Sequence, residues 1–95
     1  MEERIETTFW MDFTIADTFG ENAIKDTFYR AFEEWKSNYK YLTELVMVLN
    51  HKAWQWSERN NSYTRLYTEL YEQASYYACE NLKGDELKFY FNVTD

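Results

Sequence analysis

Residues 41–56 read YLTELVMVLNHKAWQW. On a helix turning about 100° per residue, with Leu42 at the origin, Leu45, Val46, Leu49, Ala53 and Trp56 all fall within about 60° of it. That is a core-facing stripe. The opposite side is not the polar face that usually accompanies one. It carries Met47, Val48 and Trp54 beside His51, with Glu44, Gln55 and Glu58 between them. A helix that is apolar on two sides is central, with its back covered by another helix or by the aromatic C-terminus. Alternatively, Glu44, Met47, Val48, His51, Trp54 and Glu58 form an exposed contact surface for a second copy or another partner, since contiguous exposed apolar side chains mark such sites.

Helical spacing continues on both sides of this stretch. TTFWMDFTIADTFG (7–20) places Phe9, Phe13, Ala16 and Phe19 at helical intervals and stops at Gly20, which reads as a left-handed cap. ENAIKDTFYRAFEEWK (21–36) carries Ile24, Thr27, Phe28, Ala31 and Trp35, an i, i+3, i+4, i+7, i+11 stripe. Ser37 or Asn38 can cap the helix that follows. Beyond RNNS (59–62), Tyr63, Leu66, Tyr67, Leu70, Ala74, Tyr77 and Ala78 share one face before Gly84. In the tail, Asp85 can start a short helix, yet Phe89, Phe91 and Val93 alternate as in a strand. The tail is therefore expected as a short helix or as an extended segment packed by its aromatics.

The predicted architecture is one all-α domain over residues 1–95. It is a compact bundle of four principal helices near 7–19, 22–36, 39–58 and 62–83. The predicted core includes Phe13, Phe28, Ala31, Trp35, Leu45, Leu49, Ala53, Trp56, Leu70, Ala74 and Tyr77. Composition agrees. Seven Phe, nine Tyr and four Trp among 95 residues supply a dense core, and the absence of proline leaves the helices unbroken. A chain of this size buries only about 60–65% of its unfolded surface, so that density is needed.

The net charge is −7. Such a surface repels a phosphate backbone unless its basic residues cluster, and it suits a basic protein partner or mimicry of a polyanion. The single cysteine, Cys79, forms no internal disulfide and reads as an inert small filler. MEERIETTFW (1–10) has no apolar core of the kind a secretion signal needs, and no apolar run approaches the ~20 residues that cross a bilayer. A cytoplasmic protein without a membrane role is expected. One His and one Cys do not make a zinc site, which needs three or four ligands in register. Val48, not Glu, stands three before His51, so the di-iron Glu-x-x-His pairing is missing. Gly20 and Gly84 stand alone and form no phosphate loop. The expectation is a non-enzyme with no metal and no cofactor.

IADTFGENAIKDTFYRAF (15–32) resembles a helix-turn-helix in the spacing of Ala16 and Gly20. It departs from that motif six residues after the glycine, where Asp26 stands in place of an apolar residue. The would-be recognition helix sets Lys25, Arg30 and Lys36 against Glu21, Asp26, Glu33 and Glu34, with no basic excess for phosphate contacts. A DNA-binding regulator using residues 15–32 is therefore the second functional reading, and nucleic acid is not the favoured partner. Through FWMDFTIADTFG, NYKYLTELVMVLNHKAW and YACENLKGDEL, the whole chain resembles a group of small acidic helical proteins of uncharacterised function. These are carried on bacterial mobile elements, particularly in gut Firmicutes. The group offers no functional motif to transfer. The resemblance implies a setting in which small acidic proteins inhibit host nucleic-acid-binding or defence enzymes. The first functional reading is accordingly an acidic protein–protein interaction protein acting on a basic or nucleic-acid-binding partner.

Overall fold

The computed structural model describes the backbone of residues 2–94 and the side-chain surroundings of residues 9–94. Met1, Asp95 and the side chains of residues 2–8, most of the N-terminal segment read above as no leader, lie outside the described residues. Five helices follow one another: α1 (Glu2–Asp17), α2 (Glu21–Trp35), α3 (Tyr39–Gln55), α4 (Asn61–Asn81) and α5 (Asp85–Thr94). No strand occurs among the described residues.

The joints explain where each helix stops. Gly20 adopts φ 113° and ψ −176°, a conformation open essentially to glycine alone. It caps the start of α2 rather than ending α1 as a left-handed cap. The last turn of α1 tightens onto the Ile15 and Ala16 carbonyls, which accept from Thr18 and Phe19. Asn38 caps α3, its side chain accepting from the amides of Lys40 and Tyr41. α3 ends at Gln55, three residues before the predicted end at 58. Asn60 must be extended to cap α4 at the Tyr63 amide, so the chain leaves the helix over residues 56–59. Gly84, at φ 59°, turns the chain into α5.

α3 packs against all four other helices, which makes it the central element. Its buried residues run from Val48 and Lys52 through Leu45, Leu49, Leu42, Ala53 and Val46 to Thr43, an arc of about 220°. α4 meets it with Leu66, Tyr67, Leu70, Ala74 and Ala78, all buried, with the alanines allowing close approach. α1 contributes Phe9, Phe13 and Ala16, and α2 contributes Ile24 and Phe28. Each buried large apolar side chain is worth about 1.5–3 kcal/mol. Of the predicted core, Ala31, Trp35, Trp56 and Tyr77 are half-buried and pack against it, while the remaining seven are buried.

The aromatic residues clamp one helix pair after another with edge-on ring contacts. Phe13 meets Tyr67 (α1–α4), Trp35 meets Tyr41 (α2–α3), Phe32 meets Tyr77 (α2–α4), and Tyr39 meets Phe89 (α3–α5). The radius of gyration, 12.7 Å, matches the roughly 12.4 Å expected of a compact chain of this length. α5 settles the ambiguous tail as a helix. It buries Tyr90 and half-buries Leu87 and Thr94, an i, i+3, i+7 set, and leaves Phe91 and Val93 exposed.

Two side chains depart from expectation. Phe19 is 77% exposed, because α1 ends at Asp17 and the turn over residues 18–20 breaks the helical phase that placed Phe19 on the core stripe. Cys79 is exposed and fills no core space, which overturns its reading as a filler but agrees with its position off the core stripe of α4.

Candidate interaction surface

The six residues read from α3 as a contact surface divide between the interior and the surface. Val48 is only 2% exposed and belongs to the core. This corrects its place in the surface: about 240° round the helix from Leu42, it falls at one edge of the buried arc. Glu44 and Met47 are half-buried. Trp54, His51 and Glu58 are exposed, and Trp54, at 78%, is the most exposed large apolar side chain described. The surface that remains is Met47, His51 and Trp54 on the last turns of α3, with Glu58 beyond them in the 56–59 turn.

The backbone beneath Trp54 is well held. Its carbonyl accepts from the Ser57 hydroxyl at 2.9 Å and from the Ser57 amide at 3.2 Å. The indole is thus presented on a fixed turn while its ring stays in water.

A feature that the sequence reading missed lies behind this turn. Lys52 is fully buried, its Nζ 2.6 Å from Oδ2 of Asp17, whose side chain is 6% exposed. The ammonium also donates to Gln55 Oε1 at 2.9 Å and Thr14 Oγ1 at 3.2 Å, so all three of its hydrogens have acceptors. It lies 4.7 Å from the centre of the Trp10 ring. The Asp17 carboxylate accepts further bonds from Trp56 Nε1 and the Tyr67 hydroxyl. Tyr63 donates to the Asp17 backbone carbonyl at 2.8 Å. Burial first, and then the bond to Asp17, pushes the Tyr67 phenol far above its ordinary pKa. Tyr90, buried against Ser75 at 2.6 Å, is also raised by its burial.

This network ties α1, α3 and α4 together and leaves no charge without a counter-charge. With its carboxylate and ammonium enclosed and mutually satisfied, it has no open position for a substrate. A signal for it existed. Lys52 falls about 80° from Leu42, between Val48 and Leu45 in phase, and a cation on that side of a core helix requires a buried anion. Asp17, one turn after Phe13 on α1, was the matching residue.

Among the described residues, no group of three or more His, Cys, Asp or Glu is placed to hold a metal ion, and no helix is long and apolar enough to cross a membrane. Two of the three cations expected to read DNA, Arg30 on α2 and Lys36 just after it, are engaged locally. Arg30 lies 2.9 Å from Asp26, and Lys36 lies 3.0 Å from Glu33. The exposed residues of α2 include four carboxylates, Glu21, Asp26, Glu33 and Glu34, against Lys25 and Arg30. No protein-family model, curated protein or solved structure matches the chain.

Proposed function

We propose that this protein is a non-enzymatic interaction module that binds a protein partner through apolar side chains set in an acidic surface. The observation that carries this reading is Trp54, an indole 78% exposed on a hydrogen-bonded turn of the central helix. Exposed aromatics on rigid elements are the side chains that dominate interface energies, because they bury large area at small entropic cost. Met47, half-buried, and His51, exposed, lie on the same side of α3 as Trp54 and give the surface the mixed polarity of an interface rim. The four long helices serve as the supporting bundle and α5 as a strut against α3.

The net charge of −7 favours a basic partner. The resemblance to proteins of mobile elements favours a cytoplasmic host enzyme that handles nucleic acid, defence enzymes included, as the target of inhibition. A DNA-binding role for residues 15–32 is the second reading. It is weakened by the acidic exposed face of α2 and by the pairing of Arg30 and Lys36.

The test is affinity capture from host extract on the immobilised chain, with Trp54→Ser and a duplex-binding assay alongside. The expected result is a partner that elutes as salt rises and is lost with Trp54→Ser. Salt-sensitive binding of duplex by the purified chain, abolished by changing Lys25 and Arg30, favours the DNA reading instead.

A further inference from the structure

A second surface lies away from Trp54. α1 and α2 leave between them an open groove of about 580 Å³. Phe9, Ile15 and Phe19 line it from the α1 side, and Ala23, Ala31 and Trp35 from α2. Ile15 and Phe19 stand in water, at 55% and 77% exposure. The sequence stripe of α2 is thus shared. Ile24 and Phe28 enter the core, while Ala31 and Trp35 face the groove and are half-buried.

The charges of the rim are one-sided. Asp12, Asp26 and Glu34 border the groove, and among the described residues Arg30 is the one cation that lines it. The Arg30 guanidinium lies 2.9 Å from Asp26. Among the described residues, three carboxylates less one guanidinium leave a net charge of −2 around an apolar floor.

We propose that the α1–α2 groove is a docking site for an amphipathic helix of a partner protein. Its apolar stripe would lie against Ile15, Phe19 and Trp35, and its lysines or arginines would lie on the carboxylate rim. Both walls are helices whose backbone groups bond within the helix, so an added strand has nothing to pair with. A helix seats its side chains between theirs. The rim selects a basic occupant over an acidic one. A second copy fits poorly, because symmetric association through this groove sets Asp12, Asp26 and Glu34 against the same three carboxylates. The inference rests on the protein being an interaction module, but not on the Trp54 surface.

The probe is a labelled synthetic peptide of about 18 residues, five turns of helix, with leucines at helical spacing and lysines elsewhere. Its comparators are the same composition in scrambled order and the same order with glutamates for lysines. Fluorescence anisotropy reads affinity on the full chain, and amide chemical shifts map the contact. The ordered Leu/Lys peptide is expected to bind at least about 10-fold tighter than either comparator, with shifts centred on residues 15–35. The double variant Ile15→Ser, Phe19→Ser is expected to weaken binding by about 10-fold or more. Both side chains are exposed, so melting should move little, and Asp12→Asn with Glu34→Gln gives a second, charge-only variant that also weakens binding. Trp54→Ser is expected to leave peptide affinity unchanged. Equal binding of the scrambled peptide, shifts mapping elsewhere, indifference to the Ile15/Phe19 variant, or self-association through the groove would each overturn the proposal. If the groove fails while Trp54→Ser still abolishes capture from extract, the docking site falls and the interaction-module reading stands.

Discussion

Lys52 and Trp54 stand two residues apart on α3 and occupy opposite environments. The lysine is fully buried and the tryptophan is 78% exposed. Residue hydropathy alone would place them the other way round. Lys52 is inside because Asp17, Thr14 and Gln55 converge on its ammonium and leave no hydrogen unbonded. Trp54 is outside because the buried arc of α3 ends before its position. Burial of so large a ring would contribute about 1.5–3 kcal/mol or more, and this fold forgoes it. The comparison separates a side of the helix that organises the fold from a side available to something else.

The largest effect is expected from breaking the pair. Lys52→Met or Asp17→Leu alone leaves a buried charge uncompensated and should cost about 3–5 kcal/mol in urea unfolding. Combining the two should cost clearly less than the sum, because no orphan charge remains. Strict additivity would show that the two groups do not interact and would break the comparison.

Leu49→Ala, one turn before Ala53 on the buried arc, is the apolar control. It is expected to cost about 2–5 kcal/mol, because a five-helix chain this small closes poorly over the cavity. A loss under about 1 kcal/mol would mean that the α3–α4 contact is looser than drawn.

An alkaline titration sharpens the same point from the Tyr67 side. The folded-state pKa of its phenol is raised by burial and by Asp17, whereas in the unfolded chain it ionises near pH 10. The stability this contributes is fully present below about pH 10 and is lost as pH rises above it. Phenolate absorbance should therefore show Tyr67 ionising only with unfolding. Free titration of all nine tyrosines in the native state would contradict the network.

Much of the fold was legible, for reasons that follow from period. Stripes at 3–4 residue spacing located the first four helices to within three residues at every end but one, because each such face packs on α3 or α4; α1 begins at Glu2, five residues before the predicted start. Phe19 was misread because a period says nothing once the helix has stopped. The tail left two readings because Phe89, Phe91 and Val93 alternate, while the helical set Leu87, Tyr90 and Thr94 is short and partly polar. The exposure of Trp54, His51 and Glu58 was legible, whereas Val48, at the edge of a wide buried arc, was misplaced. The Asp17–Lys52 pair stayed hidden because each partner is an ordinary charged residue in its own helix. Their approach depends on how α1 crosses α3, which no local pattern encodes. The α1–α2 groove is hidden for the same reason.

The smallest expected effect on stability belongs to Trp54, and it carries the central claim. One comparison tests that claim most directly: unfolding free energy and partner capture measured side by side for wild type and Trp54→Ser. An exposed ring outside the core should leave stability within about 0.5 kcal/mol of wild type, while capture is lost. A variant that is destabilised by about 2 kcal/mol or more, yet still captures the partner, would show that Trp54 serves the fold and would contradict the account.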